Sequence, residues 1–437
     1  RLESYTNQAE LLQRLVNLIL AIISRTAYLE LLKENPTALQ QVMTLCAKSS
    51  MVAEYLSDYP FVLDELISPV SESLVTADDF EQQLMQSMNR IPIDDIEARM
   101  DVLREVRQTE LLRLCAADIT SAMDVSSIGM RLSQVATAVI RETVAMAWQL
   151  MVDKHGLLPS AEKSLSVACP GFCVIAYGKL GGEEMGYSSD LDLVFIYKST
   201  DESTAGPMVL DNKRFYIRLA QKIIHLLSTR TRTGVLYEVD MRLRPSGNSG
   251  LLVSDIDAFA KYQSEQAWTW EHQALIRARA VVGDPNLMTQ FATVRADILT
   301  RIREPEQLRT DITAMRQRMQ EHTIAKLKQD EFDLKQSNGG LADIEFLLQY
   351  LVLRHANQYP QLIQSSHTET IIQCIADLGL LDKATVQQLT VHYQRIKSEL
   401  NHLSLQKQGV AKVLTEELKD MITQNQSLWQ AVFHRSD

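Results

Sequence analysis

The chain has 437 residues, 46% of them hydrophobic and 23% charged, with a formal net charge of −11 at pH 7. That length leaves room for two or three domains with their own cores, and the composition predicts an ordinary soluble globular protein. The acidic balance argues against a general nucleic-acid binder, whose phosphate-facing surface is usually basic, and leaves a protein substrate easier to accept.

The sequence opens at Arg1 rather than at a methionine, so it is expected to be a piece of a longer protein. The apolar run Leu15 to Ile23 is interrupted by Asn17 and falls short of the ~20 residues a membrane span needs. No basic-plus-apolar signal peptide precedes it, and no membrane association is expected. Five scattered cysteines without a CxxC pair fit a reducing cytoplasm and no structural zinc. Cys169 and Cys173 are read as buried free thiols.

Residues 1–165 read as a helical N-terminal region. Leu11, Leu12, Leu15, Leu18, Ile19, Ile22 and Ile23 recur at helical spacing and predict one buried face. A short helix over 37–57, a proline-punctuated joint from Pro60 to Pro69, and longer helices over 93–120 and 127–155 follow. Nothing in this third proposes chemistry.

Residues 166–290 switch to alternating strand and helix, and form the predicted catalytic domain. Strands are expected over 172–177, 191–197 and 235–244, with a helix from Lys213 to Thr229 covering one sheet face. Leu251 to Val253 returns as a fourth strand, and a helix from Ala258 to Ala280 carries Trp268 and Trp270, both read as core. Residues 291–437 are expected to form a C-terminal helical bundle, with segments near 308–328, 367–378, 384–404 and 412–434. The fold class is α+β and mostly helical.

The chemistry sits between the first two strands. Gly178-Lys179-Leu180-Gly181-Gly182 opens a glycine-rich loop that ends in Ser188-Ser189-Asp190-Leu191-Asp192. On a strand, Asp190 and Asp192 leave the same face. Two adjacent carboxylates repel unless a cation lies between them, and such oxygen pairs suit magnesium shared with substrate phosphates. The glycines and hydroxyls of the loop let donors approach a phosphate closely. A lone D-x-D pair also occurs at solvated strand ends. Further on, Glu238, Asp240, Arg242 and Arg244 share one face of the third expected strand, where acids and arginines can complete a metal site and hold a polyphosphate. An amphipathic edge strand with self-paired charges would show the same pattern.

Glycines, D-x-D, and a third aspartate on a later strand resemble the nucleotidyltransferase superfamily that includes DNA polymerase beta. The fuller pattern resembles the glutamine-synthetase adenylyltransferase family. It takes in Gly178 to Leu193, Glu238 to Gly247 with Gly250, Tyr262 to Arg279, and Gly339 to Phe346. Segments Tyr177 to Gly182, Leu227 to Thr231 and Ala267 to Gln273 look more like that family's adenylylating C-terminal half than its deadenylylating half.

The resemblance implies transfer of AMP from ATP to a tyrosine hydroxyl of glutamine synthetase, with pyrophosphate leaving, as a control on nitrogen assimilation. It also implies regulation by glutamine and the PII signal protein, to which no residues are assigned. Asp190, Asp192 and Asp240 are the candidate catalytic residues and magnesium ligands, holding two ions about 3.5 to 4 Å apart. Gly178, Lys179, Ser188, Ser189, Arg242 and Arg244 are the candidate nucleotide contacts. Lys179 stands where the superfamily usually has glycine or serine, so its ammonium becomes a candidate phosphate contact. Asp240 either binds metal or accepts the phenolic proton. Asp343 and Glu345, two apart on a helix, do not face each other and are left out of the site. Phosphorolytic removal of AMP and a nucleotide-sensing module without turnover are the alternatives.

Overall fold

Two short apolar runs decide the architecture. In β1 (Phe172–Ala176) and β2 (Leu191–Tyr197), successive side chains leave opposite faces of the sheet, and both faces are covered. Phe172, Val174, Leu193 and Phe195 pack with the N-terminal helices, whereas Cys173, Ile175, Val194 and Ile196 pack with the C-terminal ones. A sheet buried on both sides needs nearly continuous apolar strands, which FCVIA and LDLVFIY supply.

The computed structural model describes residues 8–68, 76–162, 169–231, 233–324, 327–328, 331–411 and 414–433. It is mostly helical, of the α+β class, around a small mixed five-stranded sheet. β1 and β2 are antiparallel. Two short parallel strands share the other edge of β2: β3 (Val239–Asp240) lies opposite Leu191 and Asp192, and β4 (Val253–Asp255) lies opposite Phe195 to Tyr197. β5 (Arg279–Gly283) pairs antiparallel with β1.

The N-terminal helices are α1 (Gln8–Ile22), α2 (Thr26–Glu34), α3 (Pro36–Lys48), α4 (Ser50–Asp58), α5 (Ala77–Asn89), α6 (Ile96–Ile119) and α7 (Val125–His155). Helix α7 is long and apolar enough to cross a membrane, but most of its apolar stretch is buried inside the protein. It packs against α6 and against α8 (Asn212–Ser228), the helix expected over the sheet. The C-terminal side is built by α9 (Pro285–Leu299), α10 (Pro305–Ile324), α11 (Leu341–His355), α12 (Thr368–Asp377), α13 (Lys383–Leu405) and α14 (Glu416–Phe433).

Several expectations are corrected. The strand expected over 235–244 shortens to Val239–Asp240, because β4 takes the rest of the β2 edge and the chain turns at Met241 to Arg244. The helix expected from Ala258 to Ala280 is two helices, Ile256–Glu265 and Thr269–Ile276, followed by β5. The break falls at Trp268, whose N–H is accepted by the Glu271 side chain at 2.9 Å, starting a new helix. Trp268 is 71% exposed rather than core. The helix over 37–57 divides at Ser49, whose hydroxyl accepts the Val52 N–H and caps α4. On α1 only Leu11, Leu18 and Ile22 are buried, while Leu12 and Ile19, and Ile23 just past its end, are exposed. Helix α5, unforeseen, begins at a capping box between Thr76 and Asp79. The free cysteines include Cys169 and Cys173, both buried. The boundary expected at 165–166, Pro69, residues 325–326 of the charged stretch and residues 412, 413 and 434 of the last expected segment lie outside the described residues.

Candidate active site

At the end of β1 the Tyr177 N–H donates to the Asp192 carbonyl at 2.9 Å, and Gly178 then adopts a left-handed φ of 56°. A Cβ at that position would overlap Oδ2 of Asp192, so glycine alone lets the backbone pass beneath the carboxylate. One helical turn, Gly178–Gly181, starts the loop that returns at Asp190.

Parallel pairing of β2 with β3 sets Asp192 opposite Asp240. Asp190 stands just before β2, exposed at the mouth, and the other two are half-buried. One oxygen from each of Asp190, Asp192 and Asp240 lies within 4.8 Å of the others. The electrostatics carry the imprint of that crowding. Burial, then the charges of Asp190 and Asp240, push the Asp192 carboxyl up to about 6, with Lys335 and Arg242 opposing. Converging oxygens whose repulsion is this poorly compensated are a donor set suited to a hard divalent cation.

Arg242 covers the third acid. Its Nε donates to Asp240 Oδ2 at 2.6 Å and its backbone N–H to Oδ1 at 2.8 Å, which holds the Asp240 pKa below the usual carboxylate range. The Arg242 guanidinium itself is largely exposed and faces the site. Arg244 is differently engaged: it donates to the carbonyls of Met241 (2.7 Å), Asn248 (3.2 Å) and Gly250 (3.3 Å), bracing its own loop.

The ammonium of Lys179 lies beside Gly186 in the same loop. Burial, then the positive charge of Lys335, draw its pKa down to about 8, with Glu345 and Asp190 opposing. Ser189 Oγ accepts the Gly186 N–H at 2.9 Å, closing the turn ahead of Asp190. Ser188 Oγ is 3.2 Å from Ser404 Oγ on α13. Both serines line an open cavity of about 340 Å³ beside Asp190, with Arg107, Tyr187, Tyr237 and Glu238 on its other walls.

Other parts of the site were not foreseen. Lys335 stands on a turn in which Asp333 Oδ1 accepts the N–H groups of Lys335 (2.8 Å) and Gln336 (3.0 Å), and it acts electrostatically on both Asp192 and Lys179. The signal was its place just before Gly339-Gly340. Asp343 is buried, accepts from Arg316 at 2.6 Å and from the Gly339 N–H at 2.6 Å. Glu345 pairs with Arg277 at 2.6 Å. Neither joins the aspartate group.

A family model described as glutamate-ammonia ligase adenylyltransferase matches residues 39–294, which hold the whole loop and all three aspartates. The chain belongs to that family. Glutamate-ammonia ligase is glutamine synthetase, and the adenylyltransferases of the family are nucleotidyltransferases acting on it. A second model, described as GlnD PII-uridylyltransferase, matches residues 313–430, the segment that carries Lys335, which acts on Asp192, and Ser404, which meets Ser188.

Proposed function

We propose that this chain transfers AMP from ATP to a tyrosine hydroxyl of glutamine synthetase in the cytoplasm, using the site at Asp190, Asp192 and Asp240. The observation that carries the reading is the meeting of three carboxylate oxygens within 4.8 Å, drawn from two strands distant in sequence. Magnesium ions held by these aspartates would lower the pKa of the attacking phenol and offset the charge of the departing pyrophosphate.

The rest of the reaction is alignment and charge compensation. The phenolic oxygen bonds to the α-phosphorus, the bond from that phosphorus to the oxygen bridging to the β-phosphate breaks, and pyrophosphate leaves with the electron pair. The phenolic proton, lost as the oxygen attacks, goes to Asp240 or to solvent buffer; Arg242, which holds the Asp240 pKa low, weakens this carboxylate as the acceptor. Lys179 and Arg242 supply the positive charge around the triphosphate, from the loop and from the end of β3. Ser189 keeps the loop tight enough for its backbone to face a phosphate, and Ser188 lines the adjoining cavity. Residues 166–290 form the catalytic part, between the helical region 1–165 and the bundle 291–437. The match of 313–430 to the uridylyltransferase model supports this bundle as the side on which glutamine and the PII protein act.

The test is incubation with ATP labelled in the α-phosphate, magnesium and purified glutamine synthetase, with the label mapped by peptide analysis. Label on a tyrosine together with stoichiometric pyrophosphate supports the proposal. AMP release as ADP, dependent on phosphate and with no consumption of ATP, assigns the site to phosphorolysis; nucleotide binding without product makes it a sensor.

A further inference from the structure

A cluster of buried charge lies behind the loop between β1 and β2. The Glu184 carboxylate is almost wholly enclosed. Its Oε2 accepts from Arg277 Nη2 at 2.8 Å and from the Tyr393 hydroxyl at 2.6 Å, and its Oε1 accepts the Thr368 N–H at 2.7 Å. That last contact sets a negative charge on the positive end of α12. Arg277 reaches on to Glu345 on α11 at 2.6 Å. Lys397 on α13 sets its buried ammonium 5.0 Å from the Tyr393 ring centroid, with no hydrogen-bond partner among the described residues. Two carboxylates and two cations thus balance inside the protein. Burial alone would raise the Glu184 pKa, but Arg277, Lys397 and the hydrogen bonds from Tyr393 and Thr368 outweigh it and hold the pKa below its ordinary value.

The same contacts grip the catalytic loop. The Glu184 N–H donates to the Lys179 carbonyl at 2.8 Å, and Ser366 Oγ donates to the Gly181 carbonyl at 2.6 Å. Arg277 packs so closely on Gly182 that a Cβ there would stand 2.8 Å from its Nε. Beyond Glu184 the loop is tied down by Ser133 Oγ on the Met185 N–H (3.2 Å) and by Asp118 on the Tyr187 hydroxyl (2.6 Å). Lys179 lies on one side of Glu184 in the loop and Asp190 on the other.

We propose that Glu184 is a positioning residue, through which the C-terminal helices hold this loop in the shape that presents Lys179, Ser189 and Asp190 to magnesium-bound ATP. The proposal rests on the reading of the site as an ATP-dependent transferase. Removing one partner from a buried charge pair leaves the other uncompensated, so the loop relaxes toward water. A displacement of about 1 Å at a reacting group costs up to about 100-fold in rate.

The experiment uses the full chain and compares Tyr393→Phe and Glu184→Gln with wild type for kcat, KM for MgATP, KM for glutamine synthetase, and thermal midpoint. Glu184→Gln is expected to lose about 10- to 100-fold in kcat/KM for MgATP. Tyr393→Phe, which deletes one donor and no volume of consequence, is expected to raise KM for MgATP about 3- to 10-fold. KM for glutamine synthetase stays unchanged in both. A purely structural role would lower kcat in proportion to the unfolded fraction and leave KM for MgATP alone; that result overturns the proposal, as do wild-type kinetics in folded variants. If Glu184→Gln does not fold, Tyr393→Phe decides. Asp192→Asn runs alongside: persisting transfer there defeats the functional reading itself, whereas its loss with normal kinetics in Tyr393→Phe and Glu184→Gln defeats only the positioning role.

Discussion

Gly178 and Asp192 are in contact across the strand ends, and the position of a Cβ on Gly178 is occupied by the Asp192 Oδ2 oxygen. The backbone of the loop and the central carboxylate of the acidic group are therefore placed by one another. A side chain at Gly178 has to move either the loop or the acid.

Gly178→Ala tests this directly. Its positive φ alone costs about 1–2 kcal/mol for a residue with a Cβ, and the collision displaces Asp192. Adenylyl transfer is expected to fall by about 100-fold or more, with a thermal midpoint lowered by only a few degrees. Steady-state rates beside a melting curve check it, and near-normal turnover would show that the contact is dispensable.

Asp192→Asn is expected to stabilise the metal-free protein while abolishing transfer. The Asp192 pKa rises from 3.8 when unfolded to about 6 when folded, so the folded state binds the proton more tightly. The penalty is absent below pH 3.8, grows up to about pH 6 and is complete above it. Removing the charge should then add about 1–3 kcal/mol at pH 7.5 and nothing at pH 3.5. Magnesium should narrow the gap by stabilising wild type alone. Melting curves at the two pH values, with and without magnesium, provide the comparison.

Lys179, at a pKa of about 8, is neutral in a growing fraction of free enzyme as the pH climbs through that value. Since only the ammonium attracts a phosphate, kcat/KM for ATP is expected to decline above about pH 8. In Lys179→Met the value should be lower by about tenfold at neutral pH, and that alkaline decline should be missing. An alkaline limb that survives the substitution would belong to another group.

Lys335→Met removes a positive charge that acts on both Lys179 and Asp192. Lys335 pulls the Lys179 pKa down, so its loss should move the alkaline limb to higher pH. It should also raise KM for ATP by about 3- to 10-fold, the effect of one partly screened charge near a triphosphate. An unmoved pH profile would remove Lys335 from the site.

Much of the local pattern was legible. Asp190, just before β2, and Asp192 on it are two apart and leave the same side, while Leu191, Leu193 and Phe195 bury on the other; that Val194 and Ile196 also bury, beyond Asp192 on its own face, was not legible. The helix over the sheet, the first two strands and the long N-terminal helices followed from spacing, whereas the third strand keeps only Val239–Asp240 of 235–244 and the fourth starts at Val253, where the expected one ended. β5 escaped notice because Arg279 to Gly283 adjoins a helical stretch, and its Val281 and Val282 become a strand only by pairing with β1. Trp268 looked like core because large aromatics usually bury, but it sits at the start of a helix facing outward.

By itself the sequence determined the parts: a glycine where φ must be positive, two acids on one strand, a third acid ahead of two arginines. Spacing along a regular element dictates direction, and these features need nothing more. Only the tertiary structure decided which of them meet. The register of β2 against β3 sets Asp240 opposite Asp192, the turn after β3 sends Arg244 to carbonyls while Arg242 stays on Asp240, and the packing of the C-terminal helices delivers Tyr393, Lys397 and Lys335 to a loop far away in the chain. Contacts between segments so separated depend on how two cores close on opposite faces of one sheet, and no local spacing encodes that.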